Sequence, residues 1–371
     1  MREIRVFCTC HSHGRPAVSD VPSMLKYLHI EDIAVAKNLV WDSENPEYVF
    51  LSEYIYTRKG IKQLRKYAQK NAILIFFAEE AVYPDMNIFD YAVVVNRELT
   101  VSDRVARIPP NIYWKTDESL EENTLTQEQA KSLLKERKRF CNFIYSHKSP
   151  ERDDIFYALS KYKHIDSLGS HLNNIGFLLG EGRFTNDWQD LSVQIKNKYK
   201  FSIAAENSYF EGYISEKLLT SFQAHTVPIY WGDIKAAQEY NPEAFINCHD
   251  YKNFDEVVQR VKEIDENDDL WAYMVSQPWQ TEAQKKNSEN EYANYKKFIE
   301  HIFSNPVKRC GKGGWAHDYT LWLIEHDLTF LTCVINRIYR YIHNPYMIIH
   351  KFNIFRQRIT KKKTLEEFFK E

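Results

Sequence analysis

Short apolar runs of strand length alternate with polar, helix-periodic segments along most of this chain. Ile4–Cys8, Tyr48–Leu51, Ile73–Phe77 and residues 92–95 are the first such runs, and residues 60–70 form a basic amphipathic helix pattern between two of them. Alternation of this kind predicts a parallel sheet wrapped by helices. Pro109 and Pro110 close this first unit, and residues 116–138 are charged without strand character, which predicts a helical connector. A second alternation starts with a strand at 140–145. It continues through a helix over 151–161 and a strand over 165–168, and helices over 255–263 and 292–303 follow later. No internal repeat or low-complexity tract interrupts it.

The most informative stretch lies between these, from Tyr199 to Asp250. Residues 200–205 are a strand-length apolar run, and residues 206–213 are polar with Gly212 and two tyrosines, so they read as a loop. Residues 215–223 carry apolar side chains at 218, 219 and 222, a helical spacing, and residues 226–231 are again strand-like before Gly232. This is a strand–loop–helix–strand unit. Such units place ligands at the carboxyl ends of their strands, where the helix N-terminus offers N–H groups and a partial positive charge to phosphate. Glu206, Asn207, Tyr213, Ser215, Glu216 and Lys217 cluster at that end. A lysine in the first turn of a helix opposes the dipole, and its presence makes sense where an anion is to be held.

Composition narrows the chemistry. A chain of 371 residues predicts two domains with sizeable cores, and a net charge of −2 offers no general attraction to nucleic acid. Glycine is scarce, with 11 residues. There is no G-x-G-x-x-G fingerprint, the nearest approach having Gly180, Gly182 and then Thr185, and no phosphate-cradling G-x-x-x-x-G-K-S/T loop, which disfavours dinucleotide binding and P-loop hydrolysis. No Asp-x-Asp pair is present to grip a diphosphate through a divalent metal, so the protein is expected to neutralise it with its own cations. Aromatic residues, at 15 %, are read mainly as core. Cys8, Cys10, His11 and His13 lack the usual C-x₂₋₄-C spacing of a metal site and are read as a strand end with buried thiols. Met1 leads directly into the first strand without a signal-peptide pattern, and no run of 18 apolar residues occurs, so a cytoplasmic protein without a spanning anchor is expected.

The C-terminal stretch differs. Residues 328–365 hold no acidic residue, while Arg337, Arg340, Lys351, Arg356, Arg358, Lys361, Lys362 and Lys363 alternate with aliphatic and aromatic residues, and Pro345 breaks any single long helix. This pattern predicts a basic amphipathic tail suited to peripheral contact with an anionic membrane.

The stretch from 199 to 251 also resembles a known family, the α-1,3/4-fucosyltransferases of glycosyltransferase family 10. Their signature runs Phe-Glu-Asn-Ser, a variable loop, Gly-Tyr-Val/Ile-Thr/Ser-Glu-Lys-Leu, then Val-Pro-Ile-Tyr-Trp-Gly and later Ser/Ala-Phe-Ile-Asn-x-x-Asp-Phe/Tyr. Here the counterparts are residues 205–208, 212–218, 227–232 and 244–251. Weaker resemblance covers most of residues 70–260. It implies an α/β fold of GT-B architecture, with two Rossmann-like domains facing a central cleft: 1–138 for the acceptor, including the connector, 139–327 for the nucleotide-sugar, and 328–371 as the basic helical tail. The resemblance further implies that Arg152 and Lys217 bind the donor diphosphate, Glu216 the donor hydroxyls, and that Asn207 and Tyr213 line the same pocket. The segment after residue 145 is one residue shorter than the family's and has His147 and Lys148 where the family has Asn-Pro.

A family motif, Pro-x-Phe-Asn-Leu-Phe-Asp-Tyr-Ala, is matched from Pro84 to Ala92 and follows a catalytic glutamate by four residues, which lands on Glu80. Glu79 stands where the family has a small residue and is left structural or acceptor-facing. Asp103, Arg104 and Arg107 match another family stretch and are expected to pack. The implied reaction is inverting: Glu80 deprotonates an acceptor hydroxyl, O3 or O4 of N-acetylglucosamine in a glycan, for attack on GDP-fucose, with no obligatory metal or further cofactor. Two other readings stay open, a GT-B transferase for another nucleotide-sugar and a catalytically silent glycan- or nucleotide-binding protein.

Overall fold

A computed structural model describes residues 2–9, 18–78, 80–114, 124–176, 188–305 and 313–327, with single residues between 307 and 342. The chain divides into two compact units. The first holds the described residues up to Tyr113 and from Asn287 to Ile342, and the second holds the described residues of Trp114–Lys286.

The first unit is built on six described parallel strands, β1 (Ile4–Cys8), β2 (Leu39–Trp41), β3 (Tyr48–Leu51), β4 (Ile73–Phe77), β5 (Tyr91–Val94) and β6 (Val105–Arg107), in the order β2-β1-β3-β4-β5-β6. Every residue of β3, β4 and β5 is buried, as expected where helices cover both faces of a parallel sheet. The helices here are α1 (Val21–Leu28), α2 (Arg58–Ala68) and the short α3 (Pro110–Tyr113). Asp20 and Ser23 form a reciprocal capping box on α1, and the Thr57 hydroxyl accepts from Gly60 N at the start of α2.

The second unit opens with α4 (Gln127–Glu136), whose Ala130, Leu133 and Leu134 pack into the core of that unit. The described half of the expected connector thus folds with the second unit rather than the first. A five-stranded parallel sheet follows, of β7 (Arg139–Phe143), β8 (Ile165–Ser167), β9 (Tyr199–Ala205), β10 (Val227–Trp231) and β11 (Ile246–Asn247), in the order β11-β10-β9-β7-β8. Helices α5 (Pro150–Ser160), α6 (Trp188–Lys196), α7 (Glu216–Gln223), α8 (Phe254–Asp265) and α9 (Asp268–Val275) complete it.

The chain then returns. Helix α10 (Glu282–Ser304) counts with the first unit from Asn287 onward, and α11 (Trp315–Asp327) packs there through Leu321 and Ile324. The compact units divide at residue 287, whereas the sequence places a domain end at 327. Tyrosine hydroxyls fix α10 in place: Tyr295 donates to Leu28 O at 2.7 Å, Tyr292 to His29 O at 2.8 Å, and Tyr48 to Ile302 O at 3.2 Å. The apolar face of α10 was legible in its periodicity, but periodicity does not say which sheet the face covers.

Residues 10–17, Glu79 and 343–371 lie outside the described residues, which leaves Cys10, His11, His13 and most of the basic tail unplaced. Cys8 ends β1 as a buried thiol, and no group among the described residues could hold a metal ion. No described helix is long and apolar enough to cross a membrane.

Candidate functional site

The carboxyl ends of β7 and β9 carry the side chains that the sequence singled out. β9 is followed at once by Glu206, which is fully buried, and its backbone N–H donates to Trp231 O at 2.7 Å, extending the ladder to β10. A buried carboxylate must be paired and hydrogen-bonded to persist. Glu206 meets this through the first turn of α7: it accepts from Ser215 N at 2.8 Å, from the Ser215 hydroxyl at 2.8 Å, and from Lys217 Nζ at 3.0 Å. Lys217 Nζ also donates to Ser215 Oγ at 2.7 Å and stands 3.6 Å from Glu216 Oε1. Burial works against the Lys217 charge, but Glu206 and Glu216 outweigh it and raise its pKa. Burial likewise opposes charge on Glu216, yet Lys217 and Lys196, its own backbone N–H and the Ser215 hydroxyl hold its carboxyl below the usual range. Both groups are therefore charged at neutral pH.

Arg152 approaches from the other side. Pro150 at N1 starts α5 and sets Arg152 in its first turn. The arginine is buried, its Nε donates to Ala205 O at 3.0 Å, and its guanidinium lies 4.2 Å from the centroid of the Tyr145 ring. Tyr145 is in turn fixed between strands, its hydroxyl donating to Ile203 O and accepting from Ala205 N, both at 2.7 Å. Burial pushes the Tyr145 phenol up to about 12 even though Arg152 and Lys217 pull the other way, so it is neutral and serves as a platform. Arg152 also opposes the charge on Lys217. Two cations are thus held near one another at the end of β9, beside a helix N-terminus, an arrangement that favours an anion.

The remaining predicted residues lie on the loop between β9 and α7. Asn207 is exposed, and its backbone carbonyl accepts from the Ser149 hydroxyl at 3.5 Å, which links this loop to the start of α5. Tyr213 is buried, with its N–H bonded to Phe210 O at 3.0 Å. Gly212 between them has φ +80°, a conformation that favours glycine, and its N–H donates to the buried Asp233 at 3.0 Å. Gly232 has a different reason to be glycine. A Cβ there would meet Tyr230 Oη at 2.5 Å and Glu206 Cγ at 2.7 Å. Gly232→Ala is therefore expected to displace Glu206, cost about 1–3 kcal/mol of stability in urea unfolding and loosen Lys217.

Arg152, Glu216 and Lys217 are thus brought together, with Asn207 and Tyr213 on the adjoining loop. Sequence reasoning counted Glu206 and Ser215 as polar neighbours without roles and passed over Tyr145, Asp233 and Lys196. An acid directly after a strand-length, mostly apolar run was the available signal for Glu206.

In the first unit, Glu80 follows β4 at its carboxyl end and is half-buried. Burial first, then Glu53 and Glu80, raise the pKa of Tyr54, which places the Glu80 charge close to that phenol. The segment after Glu80 is tied down by Arg104, whose guanidinium donates to Met86 O, Phe89 O and Asp90 O at 2.6–3.0 Å. Asp90 accepts from Leu74 N at 2.9 Å, and Arg107 Nε donates to Val95 O at 3.0 Å. The expected packing role of Arg104 and Arg107 is what their contacts show.

The two parallel sheets and the cationic helix terminus at the carboxyl end of one of them belong to an α/β protein of the GT-B class. Residues 134–305 match the model described as glycosyltransferase family 10 (fucosyltransferase), C-terminal region. Over that stretch the chain is similar to glycosyltransferase family 10. It is 28 % identical over 317 residues to the α-(1,3)-fucosyltransferase of Helicobacter pylori, covering 76 % of this chain and 57 % of that one. It is 29 % identical over 202 residues to a mimivirus protein (Acanthamoeba polyphaga mimivirus) that carries a fucosyltransferase name, covering 53 % of this chain and 32 % of that one. The chain therefore spans between a third and somewhat over half of the length of these relatives. Its fold is similar to the crystal structure of an α1,3-fucosyltransferase, with a TM-score of 0.63 at 21 % identity, covering 84 % of this chain and 93 % of that one.

Proposed function

We propose that this protein is a metal-independent transferase that moves L-fucose from GDP-fucose to O3 or O4 of N-acetylglucosamine in a glycan, with inversion and release of GDP. The observation that carries this reading is the pairing of Lys217 with Glu206 and Ser215 beside a stacked, buried Arg152. Lys217 and Arg152 take up the negative charge that develops on the diphosphate as the bond from the anomeric carbon to the phosphate oxygen breaks. Glu80 accepts the acceptor hydroxyl proton as the oxygen forms its new bond to that carbon. Glu216 binds donor hydroxyls, and Asn207 and Tyr213 line the donor pocket. A related solved structure holds GDP-fucose, and its fold is similar to this one at 22 % identity with a TM-score of 0.59, covering 83 % of this chain and 92 % of that one.

A second reading, transfer from another nucleotide-sugar, is favoured by the segment before α5, where Lys148 stands 4.0 Å from Asp153 in place of the family's Asn-Pro. Both are tested by GDP release in EDTA, with N-acetyllactosamine or lacto-N-biose as acceptor and GDP-fucose or GDP-mannose as donor. Acceptor-dependent release from GDP-fucose alone is expected. Release from GDP-mannose alone would favour the second reading, and binding of GDP without release from either donor would favour a silent binding protein. We further propose that the basic tail makes peripheral contact with an anionic membrane on the cytoplasmic side.

A further inference from the structure

We propose that Lys196 is a positioning residue of the donor site, whose ammonium group fixes the turn of α7 that carries Glu216 and Lys217. This rests on the reading of that turn as a diphosphate site. Lys196 is the last residue of α6 and is 4 % exposed. Its Nζ makes three hydrogen bonds, to Lys217 O at 3.1 Å, Thr220 Oγ1 at 2.7 Å and Ser221 Oγ at 3.1 Å. Both hydroxyls have committed their own protons, Thr220 to Glu216 O at 2.7 Å and Ser221 to Lys217 O at 2.7 Å. All three partners therefore present lone pairs to Nζ, and only an ammonium has a proton for each.

For stability alone this cation is badly placed. It is buried, it lies beneath the N-terminal turns of a helix whose dipole it opposes, and Lys217 faces it with like charge. Glu216 and Glu206 are the opposite charges that face it. Apolar side chains could fill the space between α6 and α7 without the desolvation cost. What the lysine adds is a fixed backbone under Lys217 and a second layer of positive charge beneath the anion site.

A pH signature follows. Burial, supported by Lys217 and opposed by Glu216 and Glu206, pulls the Lys196 pKa down to about 7. Above that pH the nitrogen keeps two protons for three acceptors, and the turn loses one of its ties. The sign for stability is the reverse. The folded pKa lies below the unfolded value, so the unfolded chain binds more protons across this window and the Lys196 contribution to folding becomes more favourable as pH rises. Donor affinity and stability therefore move in opposite directions with pH.

The test uses the full chain with Lys196→Met and, separately, the Thr220→Val/Ser221→Ala pair, which keeps the lysine and removes two acceptors. Amide hydrogen exchange of residues 216–223 is measured without ligand, and GDP binding by calorimetry at pH 6 and pH 8.5. Both variants are expected to exchange about ten-fold faster in α7 with β9 and β10 unchanged, and to bind GDP about ten-fold more weakly at pH 6, the size of one hydrogen bond's contribution. Wild-type affinity is expected to fall between pH 6 and pH 8.5 by more than that of Lys196→Met. Unchanged exchange in α7 for both variants would overturn the proposal, as would unchanged GDP affinity with equal pH slopes. If the wild type bound no GDP while α7 exchange rose in both variants, the diphosphate reading would fail and the hold of Lys196 on α7 would stand.

Discussion

Replacing Lys217 by Met is expected to damage the protein twice. The charge-assisted bond from the ammonium to a donor phosphate contributes about 1.5–3 kcal/mol, so GDP affinity should fall by roughly ten- to a hundred-fold. The fold should also lose about 3–5 kcal/mol, because the substitution leaves the fully buried Glu206 without its cation. The two effects separate in a double variant. Lys217→Met combined with Glu206→Gln removes the uncompensated charge, while the amide can still accept from Ser215 N. Urea unfolding of this pair is expected to recover most of the lost stability, and calorimetry to show GDP affinity no better than in the single variant. Recovery of binding together with stability would mean that Lys217 serves only to neutralise Glu206.

Glu80→Ala is the second large effect, expected on the chemical step if Glu80 is the base proposed above. A positioned general base contributes about 10²–10⁴-fold to rate, and kcat for fucosyl transfer should fall by that factor. GDP affinity should be unchanged, because Lys217, Arg152 and Glu216 belong to the second unit and Glu80 to the first. Val82 N donates to Glu80 O at 2.8 Å, and the segment that follows is held by Arg104 through the carbonyls of Met86, Phe89 and Asp90, so a side-chain truncation at Glu80 should leave the backbone in place. Glu79→Ala serves as the control and is expected to cost far less. A full rate for Glu80→Ala would move the base elsewhere.

The strands and the donor loop were legible because their signals are local. Tyr48–Leu51 and Ile73–Phe77 are contiguous apolar runs and Ile4–Cys8 is interrupted only by Arg5, and the structure keeps the same bounds. The helix expected from residue 215 has Ser215 as its N-cap, and the strand expected to end at 231 ends at Trp231. The short β2, β6 and β11 escaped because two or three residues carry no periodicity, and their pairing comes from the neighbouring strand. α10 was seen only in its apolar half, over 292–303, since its first turns are polar on most sides.

For the site, residue type and motif order named Arg152, Glu216 and Lys217, but not what holds them. Glu206, Tyr145 and Lys196 act through contacts that join residues 11, 7 and 21 positions from their partners Lys217, Arg152 and Lys217 O. A linear reading has no means of pairing a lysine at the end of one helix with a carbonyl and two hydroxyls of the next. That pairing is a property of how α6 and α7 lie against β9.

Amide hydrogen exchange of the full chain with and without saturating GDP tests the central claim most directly. Protection is predicted in two separate segments, around Tyr145 to Arg152 and around Glu206 to Lys217, with the strands of the first unit unaffected. GDP binding accompanied by protection elsewhere, with these two segments unchanged, would contradict the account.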